Sequence, residues 1–160
     1  MLSKLMSFGL AGLTGYPVTV EVDMQNGLPG CNIVGLADAA VKESKERVRS
    51  ALKNSGYKYP VAAIIVNMAP ADTKKEGTVY DLAIALAMLI SSAQISPKSK
   101  DCVILGELSL NGEVRQVSGL LPMLISAREQ GYLKALIPKD NAREARYIDG
   151  MEIYPVGSLR

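Results

Sequence analysis

Nine consecutive apolar residues, Leu82 to Ile90 in LAIALAMLI, set the hardest constraint on this chain. The stretch from about Thr78 to Ser92 reads as a helix. A helix that is apolar nearly all round has to be covered on every side, so this one is central. It falls well short of the ~20 apolar residues that cross a bilayer, so the cover is protein. The chain has 160 residues, 48% of them apolar. That is enough for one core of this kind, and residues 1–160 are read as a single domain.

Strand signals surround the helix. Residues 4–10 and 17–24 alternate apolar and polar, with Gly12, Gly15 and Pro17 between them. QNGLPG at 25–30 reads as a second turn and CNIVGL at 31–36 as a third strand, so the opening third is expected to be an antiparallel meander. Asp38 is placed as the N-cap of a helix that runs to about Asn54 and stops at Gly56. VAAIIVNM, 61–68, reads as a strand buried on both faces. CVILGELSL, the turn Asn111-Gly112 and residues 113–117 form a strand, turn and return strand. A helix over 119–130, a strand at 135–138, a short helix at 140–146 and a last strand at 152–155 follow, with Pro97, Lys98 and Ser99 as a surface linker. The fold class expected is α+β.

Composition removes whole classes of chemistry. There is no His, which excludes the Ser-His-Asp triad, the Cys-His dyad and most zinc sites. Cys31 and Cys102 stand far apart without CxxC spacing and read as free thiols in a reducing cytoplasm. No GxxxxGK[ST] occurs, so nucleotide is not held by a phosphate loop. The turn Gly27-Leu28-Pro29-Gly30 lies between strands, and the carboxylate pairs Glu21/Asp23 and Asp72/Glu76 lack a partner set for metal or acid–base work. The net charge of +2 does not mark a dedicated nucleic-acid binder, yet it allows a local basic face. On the first helix Lys42, Lys45, Arg47, Arg49 and Lys53 outnumber Glu43 and Glu46; Lys74 and Lys75 add charge in a loop, and Lys98 and Lys100 in another. Contact with a phosphate backbone is a reasonable use of such a face. The alternative is a solvated or subunit-facing helix with pairs such as Lys42–Glu46. No aromatic residue is expected beside it, so base stacking is not.

Several long stretches carry a resemblance. GTVYDLAIALAML and LGELSLNGEVRQVSGLLPMLISAREQGYLKALIPKDN resemble the Lon-protease-type domain, a fold shared with the C-terminal domain of RadA and with domain 2 of a small-subunit ribosomal protein. GLPGCNIVGLADAAVKESKERVRSALKNSG and KKEGTVYDLAIAL resemble the N-terminal domain of the ComM/YifB family, often labelled magnesium chelatase-like. The resemblance implies a two-layer fold with a mixed sheet and helices packed on one side. Lon proteases place a nucleophilic serine two residues after a Lys-acidic-Gly, which is Val79 here, and a lysine just after a Gly-Leu motif, which is Leu121 here. Valine has no nucleophilic atom and leucine no amine, so no catalytic residue is expected, and Thr78 and Ser118 are the nearest hydroxyls for a displaced dyad. The resemblance further implies an AAA+ ATPase domain absent from this chain, which binds ATP and Mg2+. It implies sister subunits in a hexameric cytoplasmic ring, a role in natural transformation and branch migration on DNA, and no membrane partner. Within this chain no cofactor or metal site is expected. The competing expectation is a protein-interaction module of a chelatase-like ATPase that does not act on DNA.

Overall fold

The computed structural model describes residues 1–97 and 101–159. The expected surface linker is therefore described only at Pro97, while Lys98, Ser99 and Lys100 lie outside the described residues. Two long strands open the chain, β1 (Leu2–Ala11) and β2 (Thr14–Gln25), joined through Gly12 and Leu13. Their antiparallel register pairs Ser3 with Val22, Leu5 with Val20 and Ser7 with Val18. Directly opposed residues share a face of the sheet, so these six form one floor. Gly15 and Pro17, expected in the turn, belong to β2 instead.

The third strand departs from the expected meander. β3 (Gly30–Val34) runs parallel to β4 (Ala63–Ala69), and β4 lies antiparallel against β2. A parallel pair needs a crossover. Here α1 (Ala39–Lys42) and α2 (Ser44–Asn54) supply it. QNGLPG thus leads the chain past the place that β4 will take and is not a hairpin turn. Asp38 is the N-cap expected of it, its Oδ1 accepting from the Val41 N–H at 2.8 Å. The helix then breaks at Glu43. β4 is covered on one face only: Ile64, Val66 and Met68 are buried, whereas Ile65 is 48% exposed.

The apolar helix is α3 (Asp81–Ser91), in which all residues but Leu86 and Ile90 are buried. It lies across β1 and β2, with α2 against its side. Small polar residues of β1 let it settle closely: Ser3 Oγ donates to the Ala87 carbonyl at 2.7 Å, and Ser91 Oγ donates to Ser3 Oγ at 2.8 Å. The remaining strands are β5 (Cys102–Ile104), β6 (Glu107–Leu108), β7 (Val114–Arg115), β8 (Lys134–Pro138) and β9 (Glu152–Val156). The main sheet has the order β3-β4-β2-β1-β5-β8-β9, with β6 and β7 as a separate hairpin closed by Asn111-Gly112. β1, β5, β8 and β9 are parallel neighbours.

The mixed sheet with a helical layer is the expected α+β class. One-sided cover describes its β3-β4-β2 half, where Asn67, Glu21 and Lys4 carry polar contacts on the open face. At the β1-β5-β8 end, α4 (Leu120–Glu129) and α5 (Ala142–Ala145) add a layer over the other face. There Phe8, Val103, Leu105, Ala135 and Ile137 meet Leu120, Met123, Leu124, Ala127 and Ala145 in a second core cluster. Gly15 permits this approach, since a Cβ on it would lie 2.8 Å from Ser126 Cβ, and its N–H donates to Ser126 Oγ at 2.8 Å.

Candidate functional site: a protease-like groove and a basic stripe

The loop from β4 to α3 shapes the groove where a Lon-type dyad would stand. Lys75 is wholly buried. Its Nζ donates to the Gly35 carbonyl at 2.7 Å and to the Pro70 carbonyl. Its backbone N–H donates to Leu36 O, and its carbonyl accepts from Asp38 N, both at 2.9 Å. Burial pulls its ammonium below the ordinary lysine value. Lys75 is therefore a strut that ties the loop to the 35–38 turn, and the DNA or partner contact expected of it has no exposed amine to make it. Asp38 adds a second tie, its Oδ2 accepting from Gly77 N at 3.3 Å. Gly77 has φ +85°, in the left-handed region open to glycine. Val79 follows, clamped through its carbonyl to Gly106 N at 3.0 Å.

Val79 lines a groove of about 510 Å³ together with Thr78, Ser118, Gln116 and the carboxylates of Asp38, Glu76 and Glu107. Leu121 does not line it; its side chain packs against the α4 core cluster, which Val79 also touches. The two dyad positions thus present an isopropyl group to the groove and an isobutyl group to the core. The hydroxyls of Thr78 and Ser118 stand among carboxylates, and among the described residues the lining contains no lysine. The groove is acidic and repels phosphate, so it does not fit the phosphates of ATP. Among the described residues no three His, Cys, Asp or Glu side chains converge as metal ligands.

Arg47, expected among the DNA or partner contacts, is also committed inside the fold. On a helix it is turned by about 200° from Lys45, and it points inward. Its Nε donates to Asp81 Oδ2 at 2.6 Å, and its Nη2 donates to Asp81 Oδ1 at 3.0 Å and to the Ala40 carbonyl at 2.9 Å. Asp81, fully buried in the first turn of α3, also accepts from Ser44 Oγ at 2.5 Å and from Leu108 N at 3.1 Å. The bond to Asp81 raises the Arg47 value further. This charge pins α2, α3 and the β6 hairpin together and is not free for a partner.

The exposed cations form a narrower set. Lys45, Arg49 and Lys53 repeat every four residues, so they lie about 40° apart around α2 and about 6 Å apart along it. Lys42, Arg49 and Lys53 are exposed and Lys45 half-buried. The Lys42–Glu46 pair expected of one continuous helix is not made, because the helix breaks between them. Among the described residues the ion pairs are Lys4–Glu21, Arg47–Asp81 and Lys74–Glu76. Lys74 belongs to the groove loop, exposed and 3.6 Å from Glu76.

One residue escaped the sequence reading. Arg49 lies over the ring of Tyr59 at 5.4 Å from its centroid. The two line a pocket of about 260 Å³ with Lys45, Glu46 and Cys31. Burial, helped by the neighbouring Cys31, pushes Tyr59 up to about 12, and burial raises Cys31 as well. The available signal was YKYP directly after the C-cap of α2, which turns back along the helix.

A family model described as subunit ChlI of Mg-chelatase matches residues 20–141. Uncharacterized protein YifB of Escherichia coli (strain K12) is 45% identical over 140 residues, covering 87% of this chain and 28% of that protein. Competence protein ComM of Haemophilus influenzae is 42% identical over 144 residues, covering 89% and 28%. Lon protease of Rhizobium meliloti is 31% identical over 157 residues, covering 91% and 19%. The chain spans about a third or less of the length of these curated relatives.

Proposed function

The chain belongs to the ComM/YifB Mg-chelatase-like family, and from that premise we propose that it is a non-catalytic module of a chelatase-like AAA+ ATPase that engages DNA. The row of Lys42 at the end of α1 and Lys45, Arg49 and Lys53 along α2, set apart from the structural cations Arg47 and Lys75, is the observation that carries this reading. Three cations on one face of α2, with Lys42 at the end of α1 before them and Glu46 beside them, suit a phosphate backbone. The name of one relative, competence protein ComM, accords with a process that handles DNA. ATP and Mg2+ belong, on this reading, to an ATPase segment of a longer protein, and sister subunits of a ring are its partners.

The protease-like groove serves as a retained fold element. Its isopropyl group at Val79 offers no nucleophile, and the carboxylates around it offer no cationic stabiliser for an oxyanion. Among the described residues no helix is long and apolar enough to cross a membrane, and both cysteines are free. Free thiols suit the reducing cytoplasm that this reading assigns to the protein. The test is binding of the chain to a short labelled duplex. Replacing Lys42, Lys45 and Arg49 together with Gln should weaken binding at least tenfold at low salt. Unchanged affinity would overturn the reading and favour a protein-interaction module.

A further inference from the structure

The pocket beside the basic row has a different chemistry from the row itself. Its walls are the Tyr59 ring with the Arg49 guanidinium over it, and Lys45, Glu46, Cys31 and Val61 complete its rim. Tyr59 packs against the main core cluster, so the ring is held and little side-chain freedom is left to lose on binding. A Cβ built on Gly30, at the floor, would meet nothing within 4 Å, so the space above the start of β3 is open. The volume of about 260 Å³ suits a single flat ring system.

We propose that this pocket takes one unpaired base of single-stranded DNA, stacked on the Arg49–Tyr59 pair, with the flanking phosphates on Lys42, Lys45 and Lys53. The inference rests on the DNA-engaging reading above and adds strand type and site to it. Arg planes and aromatic rings both stack bases, and such stacking is tolerant of sequence. The Glu46 carboxylate inside the pocket repels phosphate, so the uncharged base enters while its phosphates stay outside on the row. A base within a duplex is stacked on both sides and cannot make this contact.

The experiment compares anisotropy of labelled oligothymidylate and of a labelled duplex with the chain. Tyr59→Leu should weaken single-strand binding by about five- to a hundredfold and leave duplex binding unchanged, whereas Tyr59→Phe should stay within about twofold of the unaltered chain. Photocrosslinking of a 5-iododeoxyuridine oligonucleotide to the unaltered chain should mark Tyr59, which keeps the test open if Tyr59→Leu does not fold. If the unaltered chain binds neither DNA, the DNA-engaging reading fails and this inference with it. If it binds both in a salt-dependent way, two results overturn this inference alone: Tyr59→Leu equals the unaltered chain, or the crosslinks fall only elsewhere.

Discussion

Asp81→Ala should be among the most damaging single changes in the molecule, and the structure gives the size. The carboxylate is fully buried and accepts four hydrogen bonds: from Arg47 Nε at 2.6 Å, Arg47 Nη2 at 3.0 Å, Ser44 Oγ at 2.5 Å and Leu108 N at 3.1 Å. Truncation leaves the Arg47 guanidinium, 19% exposed, without its counter-charge. Removing one partner of a buried pair costs about 3–5 kcal/mol. The orphaned Leu108 N–H is a further cost of about 1–3 kcal/mol, partly recovered where water reaches it. The expected loss is therefore about 5 kcal/mol, against a total stability on the order of 10 kcal/mol for a chain of this size. Urea unfolding followed by far-UV circular dichroism reads it directly, as a lower midpoint at unchanged slope. Arg47→Ala should cost a similar amount, because it strands the buried Asp81, and the double variant should lose clearly less than the sum of the two. A loss below about 1 kcal/mol for Asp81→Ala, with additive behaviour in the cycle, would refute the idea that this pair is the pin between α2, α3 and the β6 hairpin.

Further outcomes follow from other places in the fold. Gly35→Ala should destabilise the chain by about 3 kcal/mol or prevent folding, since Gly35 has φ +107° and a Cβ there would lie 2.2 Å from the Met68 carbonyl oxygen; thermal melting of the variant checks this. Stability should fall at high pH. Burial holds Tyr59 at about 12 and pushes Tyr80 up as well, so the folded chain keeps protons that the unfolded chain releases from about 10 upward. Their contribution is complete below pH ~10 and is lost as pH rises through the folded values. Lys75, held below its ordinary value, acts in the opposite sense. Urea midpoints across the alkaline range should decline less steeply in Tyr80→Phe, which also removes a buried hydroxyl without a hydrogen-bond partner. Val79→Ser combined with Leu121→Lys should yield no peptide cleavage in a casein assay, because Leu121 packs against the α4 core and does not line the groove; measurable cleavage would contradict that placement.

Much of this architecture was legible in the residues because it depends on local pattern. LAIALAMLI announced the buried helix, Asn111-Gly112 the hairpin, and Asp38 the N-cap. The errors arose where a distant element decided the outcome. Nothing local in QNGLPG tells a hairpin turn from a connection that leaves room for β4, a strand more than 30 residues later. VAAIIVNM is an almost unbroken apolar run, yet only the layer above one face tells Ile65 from Val66. The same holds for the cations. Arg47 and Lys75 look like their exposed neighbours in sequence, and only the helical phase against Asp81 and the carbonyls of Gly35 and Pro70 turn them inward. The dyad positions were readable from motif spacing, but the loss of Leu121 to the core was not.

The most direct test is the salt dependence of duplex DNA affinity for the unaltered chain, for Arg47→Gln and for the variant with Gln at 42, 45, 49 and 53. Each phosphate contact contributes about −0.9 to the slope of log K against log salt, so four contacts give about −3.6. The account expects a slope near that value in the unaltered chain. Folded Arg47→Gln should keep it, and the fourfold variant should bring it close to zero. A fourfold variant with the slope of the unaltered chain, or a slope lost in Arg47→Gln alone, would contradict the claim that this row is where the domain meets DNA.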